Sequence, residues 1–88
     1  MIPVGITYSG ENSTHLLIGN LELWFSYRTV VAFRYKNIMR VSENLWGSTT
    51  GKHLNWIDGG TKENRMTRNM FENELQHVLL ECGFREQL

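Results

Sequence analysis

A single cysteine, Cys82, among 88 residues leaves no partner for an internal disulfide and no basis for a cysteine-rich zinc site. That usage fits a reducing compartment. Positive charge is not in excess either, because nine Lys and Arg balance nine Asp and Glu for a formal net charge of zero. A protein that grips a long duplex normally carries a basic surplus, since phosphate neutralisation supplies its affinity, so nucleic acid ranks low among the partners. Zero net charge also removes one barrier to self-association. Long apolar runs are absent as well. No segment approaches the roughly 20 residues that span a bilayer, and Met1 to Ile6 shows no basic start followed by an apolar stretch. A cytoplasmic protein with no membrane partner is expected.

What is present suits one domain over 1–88. Hydrophobic residues make up 41% and charged residues 20%, the balance of a folded chain. A core of this size gains stability from association, so a homo-oligomer is expected. Three Trp, three Tyr and four Phe carry much of the buriable area, and part of it can serve an interface instead.

The periodicity changes along the chain. Val4 to Tyr8 is a β-rich run closed by Ser9-Gly10-Glu11-Asn12. His15 to Ile18 and Leu21 to Tyr27 flank Gly19-Asn20, a two-residue hairpin signal in which glycine accepts positive φ at the first turn position. In the second run Leu21, Leu23, Phe25 and Tyr27 share one face, opposite Glu22 and Ser26. From Thr29 to Tyr35, Val31, Phe33 and Tyr35 alternate with Val30, Ala32 and Arg34, so both faces are partly covered. Lys36-Asn37 then turns into Ile38 to Val41. Four or five short strands with tight turns predict an antiparallel meander. After about Thr67 the period becomes helical. Phe71, Leu75, Val78, Leu79 and Cys82 form one stripe, with Thr67 as cap and Gly83 at the left-handed C-terminal position. The fold class is α+β, with a helix over about 68–82 packed on the sheet.

Between these halves, Ser42 to Gly60 gathers hydroxyls, glycines, Lys52, His53 and two tryptophans. The pattern predicts a loop leading into a short helix near 49–57, capped by Ser48 or Thr49. Backbone amides at such a helix start can bind an anion, with Lys52 adding charge. A phosphate-binding P-loop is excluded by spacing. Gly47 and Gly51 are separated by three residues rather than four, and His53 stands where Ser or Thr is needed. Two readings remain. In one, Trp46, Ser48, Thr49, Thr50, Lys52, His53, Asn55 and Trp56 form a ligand-binding site. In the other, the segment docks Trp46, Leu54 and Ile57 into the core while its hydroxyls satisfy the backbone.

Other constellations are weaker. His77 and Cys82 lie five apart on the helix, about 140° around its axis, so with His15 and His53 they make no metal set, and no metal or cofactor is expected. Cys82 belongs to the apolar stripe, where a buried thiol is inert as a nucleophile. Glu72, Glu74 and Glu81 read as solvated helix positions. Lys62, Arg65, Arg68, Arg34 and Arg40 read as a dispersed charged surface or, at most, a modest basic patch.

The pattern Phe25-Ser26-Tyr27-x-Thr29-x-Val31-Ala32-Phe33, Val41-Ser42-Glu43-Asn44-x-Trp46 and Thr49-Thr50-Gly51-Lys52-His53-Leu54-Asn55-x-Ile57-Asp58-Gly59-Gly60 resembles an uncharacterised family of small domains common in bacteriophage genomes. Arg65 and Phe71-Glu72-x-x-Leu75 extend the likeness, and Gly47 departs from it where the family tends to carry Ser. The resemblance implies a phage origin and no established enzymatic activity, and it carries no catalytic residues. The expected function is a non-enzymatic counter-defence inhibitor that binds a host defence protein or a phosphate-bearing signalling nucleotide. In the nucleotide version the amides and Lys52 hold phosphate, Asn55 hydrogen-bonds, and Trp46 or Trp56 stacks on a base. The alternative is a single-stranded nucleic-acid-binding accessory protein, with Trp24, Phe25, Tyr27 and Tyr35 stacking bases and Arg34 and Lys36 on phosphates.

Overall fold

Period-two and helical patterning occupy different parts of the chain, and the computed structural model, which describes residues 4–8 and 12–83, separates them in the same way. Strands β1 (Val4–Tyr8), β2 (Ser13–Ile18), β3 (Leu21–Ser26), β4 (Thr29–Tyr35) and β5 (Ile38–Val41) form one antiparallel sheet in sequence order. Two helices follow, α1 (Ser48–Asp58) and α2 (Arg68–Glu81), joined through a single 3-10 turn at Lys62–Asn64. This is the α+β meander that the sequence predicts. The turn expected at Ser9 to Glu11 lies outside the described residues.

Turn chemistry sets the hairpins. Gly19 has φ 60°, and Lys36 and Asn37 have φ 54° and 66°, the mirror-image turn conformations that match strand twist. The β3–β4 turn departs from expectation. Tyr27 is not the last residue of a strand face but a turn residue at φ 58°, with its ring exposed. Its amide donates to Asn12 O at 2.7 Å, which fastens the turn to the residue preceding β2.

The alternation in β4 also breaks. Trp24 pairs with Ala32 and Phe25 with Val30, so Val31 is the extra residue of a bulge. Val31 therefore leaves the face of Phe33 and Tyr35 and joins Trp24, Ala32, Val41 and Leu54 in one buried cluster. Val30 moves to the other face, beside Leu21, Leu23, Phe33 and Phe71. Each face of the sheet thus has its own small core. Helix α1 seals one through Leu54 and Ile57, and α2 seals the other through Phe71, Leu75, Val78, Leu79 and Cys82, the predicted stripe.

The connection between the helices explains how they reach opposite faces. After α1 the chain runs back beside β5, where Met66 N donates to Val41 O and Glu43 N to Met66 O, both at 2.8 Å. Helix α2 then starts with two caps. Thr67 Oγ1 accepts from Met70 N, as predicted, and the Glu43 carboxylate accepts from Arg68 N at 2.8 Å. Gly83, at φ 95°, turns the chain at its end.

Candidate functional site

Helix α1 is a poor helix by composition, since Ser-Thr-Thr-Gly opens it and intrinsic propensity alone would not hold eleven such residues. Tertiary contacts hold it instead. Thr50, His53, Leu54 and Ile57 recur at helical spacing and face the sheet. Leu54 is fully buried. Beneath the helix, Ser26 Oγ lies 2.9 Å from Thr50 Oγ1 and 2.7 Å from His53 Nδ1. If each hydroxyl donates once, Thr50 donates to Ser26 and Ser26 to the imidazole, which satisfies two buried hydroxyls in an otherwise apolar layer.

Neither Ser48 nor Thr49 caps the helix. Gly47 occupies the cap position with extended φ, no side chain bonds the first turn, and Ser48 and Thr49 stand inside that turn. The reason lies in Asn44, whose Oδ1 accepts from Trp46 N at 2.9 Å and whose Nδ2 donates to Gly47 O at 3.0 Å. This bracket sets the start of the helix at Gly47. The glycine in α1 leaves room for it, because a Cβ on Gly51 would sit 3.1 Å from Asn44 Nδ2, a tight contact.

The eight candidate ligand residues therefore divide. Thr50 and His53 are spent on Ser26. Asn55 is spent in part on Arg65, whose Nη2 donates to Asn55 Oδ1 at 3.0 Å. Ser48, Thr49 and Lys52 are exposed, and Trp56 is 59% exposed. Trp46 does not dock into the core as the structural reading expects. It is 44% exposed, with the Arg68 guanidinium 5.2 Å from its ring centroid. A shallow hollow of about 260 Å³ runs along the helix start between Tyr27, Trp46 and Gly47 to Thr50.

Several residues that shape the region carry no obvious signal in the sequence. Arg65 closes the end of α1 through a two-pronged ion pair with Asp58, Nε to Oδ2 at 2.8 Å and Nη2 to Oδ1 at 3.0 Å. Only 5% of the Arg65 side chain and 11% of that of Asp58 are exposed. The guanidinium holds the Asp58 carboxyl below its ordinary range, assisted by the Gly60 amide and opposed by burial. The available hint is the turn itself, because Asp58 precedes Gly59 and Gly60, both at positive φ, so the chain reverses and can return a cation. Arg68 is a second hub, donating from Nη1 to Val30 O and from Nε to Glu72 at 2.9 Å each.

The four arginines named as a basic patch are neutralised locally. Arg34, Arg40, Arg65 and Arg68 each pair with a carboxylate, from Glu22, Glu74, Asp58 and Glu72 respectively. Glu72, Glu74 and also Glu81, which pairs with Lys36, are thus ion-pair partners rather than merely solvated positions. Of the four sheet aromatics named as stacking platforms, Trp24 is buried beneath His15, their rings 4.6 Å apart and nearly parallel. Phe25 and Tyr35 pack on the α2 side, and only Tyr27 is exposed.

No helix among the described residues is long and apolar enough to cross a membrane. Neither a curated protein nor a solved structure matches the chain. A family model does match, over residues 6–73, and this stretch contains the whole sheet from Ile6 onward, α1, the Asp58–Arg65 pair and the start of α2. The chain belongs to the family of unknown function DUF8033.

Proposed function

We propose that this chain is a non-enzymatic binding protein of bacteriophage origin that acts in the cytoplasm of the infected host, where it inhibits a host defence protein through the outer side of α1. The observation that carries the reading is the exposure of Trp46, just before α1, and of Trp56, near its end, with Thr49 and Lys52 exposed on the helix between them. Positions 49, 52 and 56 follow helical spacing along one flank of α1, beside His53, and their side chains are exposed. Tryptophan left in water is costly surface, and at interfaces it is the commonest anchor. Catalysis finds less support. Ser26 and His53 have the spacing of a nucleophile and its base, yet Ser26 is buried under the helix with its hydroxyl shared between Thr50 and His53. Homo-oligomerisation, part of the same reading, would use other exposed apolar residues.

The test compares affinity capture from host extract by the native chain and by a Trp46→Ala/Trp56→Ala variant, followed by titration of the recovered partner in pure form. Each anchor is expected to account for about thirtyfold or more in affinity. The melting temperature should change little, since neither ring belongs to a buried cluster. Recovery of the same partner with equal affinity by the variant would overturn the reading.

A second reading has one specific observation behind it. The first-turn amides of α1 have no side-chain cap, and they border the hollow flanked by Tyr27 and Trp46. Such a place suits a phosphate-bearing nucleotide, with a base against an aromatic ring. Calorimetric titration with cyclic and linear nucleotides decides it, and absence of heat from all of them removes it.

A further inference from the structure

A second concavity, of about 390 Å³, lies on the other flank of α1, between the Glu43–Asn44 loop, Gly51 and Asn55 of the helix, and Lys62 and Arg65. Its back wall is the Arg65 guanidinium, paired with Asp58 and Asn55. Arg65 has five N–H groups, and three of them are committed, Nε and one Nη2 hydrogen to Asp58 and the other Nη2 hydrogen to Asn55. Both Nη1 hydrogens remain. Among the described residues every buried side-chain nitrogen and oxygen has a partner. Arg65 lines the cleft, and Nη1 is the nitrogen of its guanidinium without a protein partner among the described residues.

Three further groups on the wall have no protein partner among the described residues. They are the Asn55 amide nitrogen, Lys62 Nζ, and the Glu43 oxygen not used by Arg68 N. The cleft thus presents donors from Arg65, Asn55 and Lys62, and one anionic acceptor from Glu43. Its charge is nearly balanced, because Asp58 offsets Arg65 from behind and Glu43 offsets Lys62. A phosphate dianion would face the Glu43 carboxylate on the wall, with Asp58 already offsetting Arg65 from behind. A ligand with one carboxylate and one ammonium group would meet complementary charge at both ends.

We propose that this cleft binds a small zwitterion of the α-amino-acid type, with the carboxylate on Arg65 Nη1, Asn55 Nδ2 and Lys62 Nζ and the ammonium group on Glu43. The site is separate from the tryptophan row and does not depend on it. Two features of the fold serve it. Asp58 fixes the guanidinium before any ligand arrives, which lowers the ordering cost of binding. The missing side chain at Gly51 keeps the wall open beside Asn44.

The test is a titration of the isotope-labelled chain with the standard free amino acids, followed by the backbone amide signals of Gly51, Asn55, Lys62 and Arg65. Acetate, methylammonium and inorganic phosphate serve as probes of the separate charges. At least one amino acid is expected to shift these signals saturably, and more tightly than any of the three ions. Lys62→Ala removes an exposed side chain that has no ion-pair partner among the described residues, so it should weaken binding about tenfold at unchanged melting temperature. Glu43→Gln keeps an acceptor for Arg68 N while removing the charge that holds ammonium, so the preference for amino acid over acetate should vanish. No shift with any amino acid, or an equal response to phosphate, would overturn the proposal.

Discussion

Replacing Arg65 by Met is expected to destabilise the protein by about 3–5 kcal/mol, because it leaves the Asp58 carboxylate buried without its counter-charge. The total stability of a chain this size is about 5–13 kcal/mol, so the loss is a large fraction of the whole. It should appear as a fall in melting temperature of about 12 °C or more. Removing both partners, Asp58→Asn with Arg65→Met, is expected to cost less than Arg65→Met alone, since no unpaired charge then remains. Arg65→Lys should fall between them, as a lysine keeps the charge but cannot bridge both carboxylate oxygens and Asn55 together.

The same pair sets a pH dependence. Asp58 has a folded pKa held below its unfolded value by Arg65. Its contribution to stability is therefore complete above the unfolded aspartate value and is lost as the pH falls through the lower folded one. The native chain should lose stability on acidification below about pH 4 more steeply than the Asp58→Asn/Arg65→Met variant. Urea unfolding at a series of acidic pH values reads this difference directly. Equal slopes would contradict it.

The second large effect lies on the opposite face. Phe71 is fully buried, its ring 5.5 Å from that of Phe33, and it is the one completely buried residue of α2. Phe71→Ala removes the anchor that holds this helix to the sheet and leaves a cavity against Phe33, for an expected cost of about 3–5 kcal/mol. A chain of this size has little reserve, so α2 should detach, with loss of helical circular dichroism and exposure of Leu21 and Leu23. Phe71→Leu keeps much of the volume and should cost far less. A native-like melting temperature for Phe71→Ala would show that α2 is not needed to close its face.

Much of this architecture was legible because it rests on local chemistry. Gly19-Asn20 and Lys36-Asn37 announce their turns, and the Phe71 to Cys82 stripe announces the face α2 buries. Where the reading failed, the deciding contacts were distant or broke a period. The Val31 bulge shifts two residues between faces, and no single residue type marks it. Tyr27 adopts a left-handed turn conformation that favours glycine or asparagine, so the β3–β4 turn was hidden inside an apparent strand. In the segment from Trp46 to Trp56, all eight candidates looked alike as polar or aromatic residues. Only Ser26, twenty-four residues before Thr50, reveals that Thr50 and His53 are internal. Arg65 likewise reaches back to Asp58 and Asn55 after a reversal of the chain.

The division of α1 into an inner face that builds the fold and an outer face left for a partner is tested most directly by thermal unfolding of single alanine variants along the helix. Thr50→Ala, His53→Ala and Leu54→Ala are expected to lower the melting temperature, Leu54→Ala most, by an amount matching about 2–5 kcal/mol. Thr49→Ala, Lys52→Ala and Trp56→Ala are expected to stay within about 0.5 kcal/mol of the native chain. A drop for Lys52→Ala or Trp56→Ala comparable to that of Leu54→Ala would contradict the division, because it would make the outer row part of the fold itself.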